Sequence, residues 1–190
     1  LLGPDDPLGA KLASSLGDQV RAAVIEGRPE EAIRYTAVLE DSGRLDSDHD
    51  VLEYSARAHR VLAASLFGHD KEDLEPLFSV AMDSIGLGDR RTASLHFRRA
   101  GELYGRLAVR IIGLDGGAEN WSRAQAASGR CFDLGADRER AVEAYLAYLE
   151  VTGSDDSRRA EIAYRYAKVL PSQLEFEPAL EAYDELVEVH

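Results

Sequence analysis

The stretch "RERAVEAYLAYLE" fills residues 138–150, and "EPALEAYDELVE" at residues 177–188 closely repeats it. Counting from Ala141, the small or apolar residues are Ala141, Ala144, Tyr145, Tyr148 and Leu149. These fall at i, i+3, i+4, i+7 and i+8, the buried stripe of a single α-helix. Ala179, Ala182, Tyr183, Leu186 and Val187 stand at the same offsets in the second copy. A helix with one such stripe cannot bury it alone, so a chain that repeats it must stack the copies on one another.

Two further stretches carry the pattern. "PEEAIRYTAVLE" supplies Ala32, Tyr35, Thr36 and Leu39, and "TASLHFRRA" supplies Ala93, Phe97 and Ala100. Gly27, Gly88 and Gly135 lie five or six residues ahead of Ala32, Ala93 and Ala141. Glycine there lets the preceding helix end in a left-handed residue. The small Ala then allows the next helix to approach closely, and the aromatic residue fills the space beside it.

Between these stretches the chain reads as helix throughout. Ala, Leu, Glu and Arg dominate, and no run alternates Val, Ile and Thr as a strand does. Turn and capping clusters such as "EGRPE", "EDSGRLDSDHD", "FGHDKED" and "TGSDDS" divide it into nine predicted helices. They lie near residues 10–25, 29–41, 50–67, 71–85, 89–112, 119–134, 137–151, 157–170 and 177–189. "DVLE" at residues 50–53 has the form of a capping box. The linkers are short, so residues 1–190 are expected to form one domain.

The A-x3-F-x2-A element at Ala93, Phe97 and Ala100, with the Ala141–Tyr145 pair after a glycine turn, resembles the tetratricopeptide repeat family. The resemblance spans about 130–150 residues in three or four units. It implies an all-α fold of antiparallel helix hairpins stacked into a right-handed superhelix, an α-solenoid that serves as a protein-binding scaffold. The Ala anchors are 61, 48 and 38 residues apart, so the expected superhelix is irregular, with one long helix near residues 89–112.

Composition narrows the function. With 45% hydrophobic and 30% charged residues the chain has the balance of a folded domain. A net charge of −13 argues against nucleic acid as the main partner. Cys131 is the sole cysteine, so an internal disulfide cannot form, and no apolar run approaches the roughly 18 residues of a membrane span. "LLGPDDPLGA" has no initiator Met and no basic flank, as expected of a piece of a longer chain. The compartment stays open, with the cytoplasm slightly favoured.

Catalytic signatures are missing. "GLGD" at residue 86 lacks the third glycine and the preceding strand of a dinucleotide site, and no P-loop, H-E-x-x-H or G-x-S-x-G occurs. His49, His59, His69 and His96 are scattered. Asp46, Asp48 and Asp50 are spaced like a calcium loop, but Val51 stands where that loop needs glycine and Arg57 where it needs glutamate. Cys131 and Trp121 read as core residues. The chain is therefore expected to be no enzyme and to hold no metal or cofactor.

The arginines carry the binding hypothesis. Of 22 basic residues only Lys11, Lys71 and Lys168 are lysine, so 19 are arginine. Arg91, Arg98, Arg99, Arg106 and Arg110 should form a solvent-exposed stripe opposite the apolar face of the long helix, a secondary docking surface for an acidic partner. Residues 172–190 contain six acids and no Lys or Arg, so a second copy or the rest of a parent chain could supply that partner. A sharper candidate is Arg123 and Arg130, seven apart on one first helix, followed by Arg158 and Arg165, seven apart on the next. First helices of this family line the concave groove, so the resemblance implies a ladder of four guanidiniums. Guanidinium forks match carboxylates bidentately. The expected ligand is an acidic or C-terminal peptide of a protein partner, with Tyr164 or Tyr166 adding apolar contact. The alternatives are a structural segment packing only within its parent chain or a homo-oligomer, and a regulatory or sensor domain of a larger enzyme.

Overall fold

The computed structural model describes residues 6–67, 86–114 and 117–170. Among them are seven α-helices, α1 (Pro7–Ile25), α2 (Pro29–Asp41), α3 (His49–Leu66), α4 (Leu87–Ile111), α5 (Gly117–Leu134), α6 (Arg138–Val151) and α7 (Arg159–Val169), and a 3-10 turn at Leu45–Ser47. No strand occurs among the described residues. The helices expected at 71–85 and 177–189 lie outside them. Each helix packs on its neighbours in sequence, and α1 also touches α3. That order of contacts is the stack of helix hairpins expected of an all-α, tetratricopeptide-like solenoid.

The repeated stripe is the core. Ala32, Ala93, Phe97, Ala100, Ala141, Tyr145 and Tyr148 are all completely buried. Glycines on the facing helices make room for the rings. A Cβ built on Gly129 of α5 would lie 2.5 Å from Cδ1 and Cε1 of Tyr145 on α6, and one on Gly101 of α4 would lie 2.9 Å from the Phe132 ring on α5. The first unit fills the same slot differently. Thr36 stands where Phe97 and Tyr145 stand, and its hydroxyl donates to Ala32 O (2.9 Å) and is hydrogen-bonded to Ser55 Oγ (2.9 Å).

Helix ends correct several expectations. Gly27 takes φ +72° as predicted, and Arg28 N closes on Ala23 O at 2.8 Å. Gly88 instead lies within α4, as its second residue. Gly135 is not left-handed either: Ala136 takes φ +54°, and Asp137 N donates to Phe132 O at 2.9 Å. Gly135 is needed for a different reason, since a Cβ there would meet Arg98 Cγ at 2.8 Å. The cap of α3 is Asp48, whose carboxylate accepts from Asp50 N and Val51 N, so Asp50 lies inside the helix and "DVLE" is not its capping box. Asp6 caps α1 in the same manner and starts it three residues earlier than the periodicity suggests.

The uneven repeat spacing has a visible source. α4 runs 25 residues, against 13 for α2 and 14 for α6, which occupy the equivalent place in their hairpins. The added turns push the Ala141 unit further along the chain. The 61-residue gap before Ala93 contains residues 68–85, which lie outside the described chain.

His59 and His96, scattered in sequence, meet across the α3–α4 contact with their Nδ1 atoms 2.9 Å apart. Burial lowers both pKa values, His59 to about 4, helped by mutual repulsion with His96 and by Arg99 and opposed by Glu40 and Glu102. Glu30 opposes the shift at His96. A depressed native pKa gives stability that is complete above the unfolded value near 6.5 and is lost as pH falls below it. Urea midpoints should therefore drop between pH 6.5 and 4, and the His59→Gln, His96→Gln double variant should flatten that slope.

Two backbone substitutions test the packing scheme. Gly129→Ala should destabilise by about 1–3 kcal/mol in urea unfolding, because the Tyr145 ring must move. Ala136→Gly should instead stabilise by about 0.5–1 kcal/mol, since a left-handed Ala is strained by ~1–2 kcal/mol and glycine gives back part of that in backbone entropy.

Candidate functional site

Helices α3, α4 and α5, with the approach to α7, enclose an open concavity of about 550 Å3. From α3 it receives Asp50, Glu53, Arg57 and Arg60, residues three or four apart that share one face. Tyr104, Leu107 and Ile111 of α4 form its floor, and Arg123, Ala127 and Arg130 of α5 form the opposite wall. Arg158, just before α7, closes one end. Five arginines thus line the concavity against two carboxylates.

The floor is already packed. Tyr104, Leu107 and Ile111 retain only 6%, 4% and 5% of their surface. Burial pushes the Tyr104 phenol up to about 12, partly offset by Arg60 and Arg57. Its hydroxyl remains a neutral donor at any physiological pH.

The four-rung ladder is rearranged. Arg123, Arg130 and Arg158 line the concavity, whereas Arg165 and Tyr164 do not. Arg165 is buried on the inner face of α7 beside Ile162 and Tyr166, and its Nε donates to Glu161 Oε1 at 2.7 Å. Arg130 holds the same carboxylate from α5, with Nε to Oε1 at 2.9 Å and a second bond to Oε2. Burial raises the Glu161 carboxyl, but the two guanidiniums outweigh it and hold it below the usual range. Arg158 is not a helical rung. It precedes Arg159, the first residue of α7, and turns back to Asp156, to which its backbone N donates at 2.9 Å. Tyr164 is half-exposed and stacks under Lys168, whose Nζ is 5.4 Å from the ring centroid. Tyr166 is core.

The stripe on α4 corrects a second expectation. Arg91 and Arg110 are exposed, but Arg98, Arg99 and Arg106 are half-buried. Arg98 Nε and Ser94 Oγ both donate to Gly135 O, at 2.8 and 2.5 Å, closing the end of α5. Arg99 bridges Glu40 and Glu102, and Arg106 bridges Glu40 and Asp46, its Nε lying 2.9 Å from Asp46 Oδ1. Burial raises Glu40 and Glu102, yet their arginine partners hold both below the ordinary glutamate range. Arg98, Arg99 and Arg106 thus fasten α4 to neighbouring elements, and Arg91 and Arg110 stay on the exposed face as expected.

Other singled-out residues have structural uses. Asp46 binds Arg106, and Asp48 caps α3 while lying 3.2 Å from Arg21. Among the described residues no group of three His, Cys, Asp or Glu could hold a metal ion. Cys131 is fully buried, and burial pushes its thiol up to about 12. Trp121 packs in the main core. No described helix is long and apolar enough to cross a membrane.

Sequence reasoning missed Arg57 and Arg60. Neither belongs to a repeated pair, and only the placement of α3 as a first helix shows which way "EYSARAHR" faces. Arg60 and Arg123 have no hydrogen-bond or ion-pair partner among the described residues, and Arg60 Nε is shielded from solvent.

No protein-family model matches the chain, and no curated protein matches it. Two solved structures overlay on all of it at a TM-score of 0.31. One is the MamA RS-1 ArsTM double mutant, 15% identical and covered over 96% of its length. The other is MamA 41-end from Desulfovibrio magneticus RS-1, 16% identical and covered over 97%.

The shared carboxylate gives a direct prediction. Glu161→Ala would remove the carboxylate that Arg130 and Arg165 share at the α5–α7 contact and should lower unfolding free energy by about 1–3 kcal/mol. Urea denaturation measures it.

Proposed function

We propose that this chain is a protein-interaction scaffold whose concavity receives an acidic or C-terminal peptide segment of a partner. The observation that supports it most is the set of arginines at one opening of a chain with net charge −13. Elsewhere Arg99 and Arg106 are matched to carboxylates from other elements, and in the concavity itself Arg130 is matched to Glu161. Arg60 and Arg123 face the opening unmatched, with Arg57 beside them. Unmatched guanidiniums on two helices, Arg60 on α3 and Arg123 on α5, favour an incoming anion.

The reading assigns no chemical step to this chain. Arg123 and Arg60 steer and hold the ligand, Arg57 and Arg158 add field, and Arg130 contributes whatever donors Glu161 leaves. Arg165 and Tyr164 drop out of the contact set, since neither reaches the concavity.

Fluorescence anisotropy with a labelled acidic peptide and a charge-neutral control of equal length tests the proposal. The acidic peptide should bind, with affinity falling steeply as salt rises. Arg123→Glu, an exposed position, should weaken it roughly tenfold, about 1.4 kcal/mol, with helicity unchanged. Equal binding of both peptides, or indifference to Arg123→Glu, would remove the concavity as the binding site.

A further inference from the structure

The floor and the walls of the concavity make unequal offers to a ligand. Its apolar residues, Tyr104, Leu107 and Ile111, have almost no surface left to bury, so an aliphatic or aromatic anchor gains little there. Binding must come from charge. A single carboxylate on a partly exposed arginine contributes little. A phosphoryl group presents about −1.5 to −2 charge and three acceptor oxygens, so it can engage guanidiniums from two helices at once.

The geometry supplies those guanidiniums. Arg57 and Arg60 are one turn apart on α3, and Arg123 faces them from α5. Arg60 is half-buried, has no partner among the described residues, and has its Nε out of solvent. Leaving a guanidinium so placed without an anion is costly, and a bound anion relieves the cost. The Tyr104 hydroxyl, kept protonated by burial, offers a neutral donor at the floor. Asp50 and Glu53 lie on the α3 side and would repel an anion there. Arg21, 4.0 Å from Asp50, offsets part of that repulsion.

We infer that the concavity recognises a phosphorylated residue, a phosphoserine or phosphothreonine within an acidic segment of a partner protein. This rests on the concavity being the peptide site, and it adds the identity of the anion.

The test uses the whole chain and three labelled peptides of one acidic sequence, carrying serine, glutamate or phosphoserine at the central position. Anisotropy titrations should show the phosphopeptide binding roughly tenfold or more tightly than the glutamate form. Arg60→Gln and Arg123→Gln should each remove most of that preference. Arg123 is exposed, so its variant carries the test if Arg60→Gln fails to keep its helicity. Glutamate and phosphoserine peptides binding alike would overturn the phosphate assignment and leave the acidic-peptide reading standing. No binding by any of the three would overturn both. A phospho-preference that survives both arginine variants would overturn the placement in this concavity. Inorganic phosphate should compete only at far higher concentration than the phosphopeptide. Competition at equal concentration would assign the site to the free anion and overturn the peptide.

Discussion

The distance between neighbouring helices is set where a ring meets a glycine. Tyr145 sits against Gly129 and Phe132 against Gly101, each ring occupying volume that a Cβ would otherwise take. This exchange of large for small lets α4, α5 and α6 approach closely enough to exclude water from their shared faces. It also fixes where α5 lies between its neighbours, and hence which of its residues turn toward the opening. The arginine wall is a by-product of that seating: with Gly129 against Tyr145, Arg123 and Arg130 are carried to the concavity.

Electrostatics then acts at two levels. Along the helix contacts, arginines are fasteners that join one helix to another through partly exposed carboxylates: Arg99 and Arg106 to Glu40, Arg140 to Glu102, and Arg130 to Glu161, which Arg165 holds from within α7. Arg34, Arg60, Arg91, Arg110, Arg123 and Arg138 have no such partner among the described residues, and of these Arg60 and Arg123 line the concavity.

The all-helical stack was legible because its signal is periodic and local. Ala141, Tyr145, Phe97 and Ala93 report their burial through spacing alone. What escaped reading depended on contacts distant in sequence. The His59–His96 meeting links residues 37 apart, and no local pattern marks it. The α4 stripe looked solvent-facing because periodicity separates apolar from polar faces but is blind to polar faces that meet each other. The ladder of four arginines lost Arg165, which is buried against Glu161, while Arg158 lines the concavity from outside the helical register because α7 begins at Arg159. Gly135 was correctly singled out, although its use is contact with Arg98 and the left-handed residue is Ala136.

The 25-residue length of α4 has a consequence for how such a molecule can change over generations. Arrays of equal units grow and shrink by duplication or loss of a whole unit, because every junction is interchangeable. Here the junctions differ. α4 touches α3 and α5 along its length and reaches α2 and α6 through Arg99, Arg106 and the Glu102–Arg140 pair. Removing any one hairpin would strand contacts made by a helix that belongs to none of them alone. Unequal junctions of this kind hold α4 to one set of neighbours.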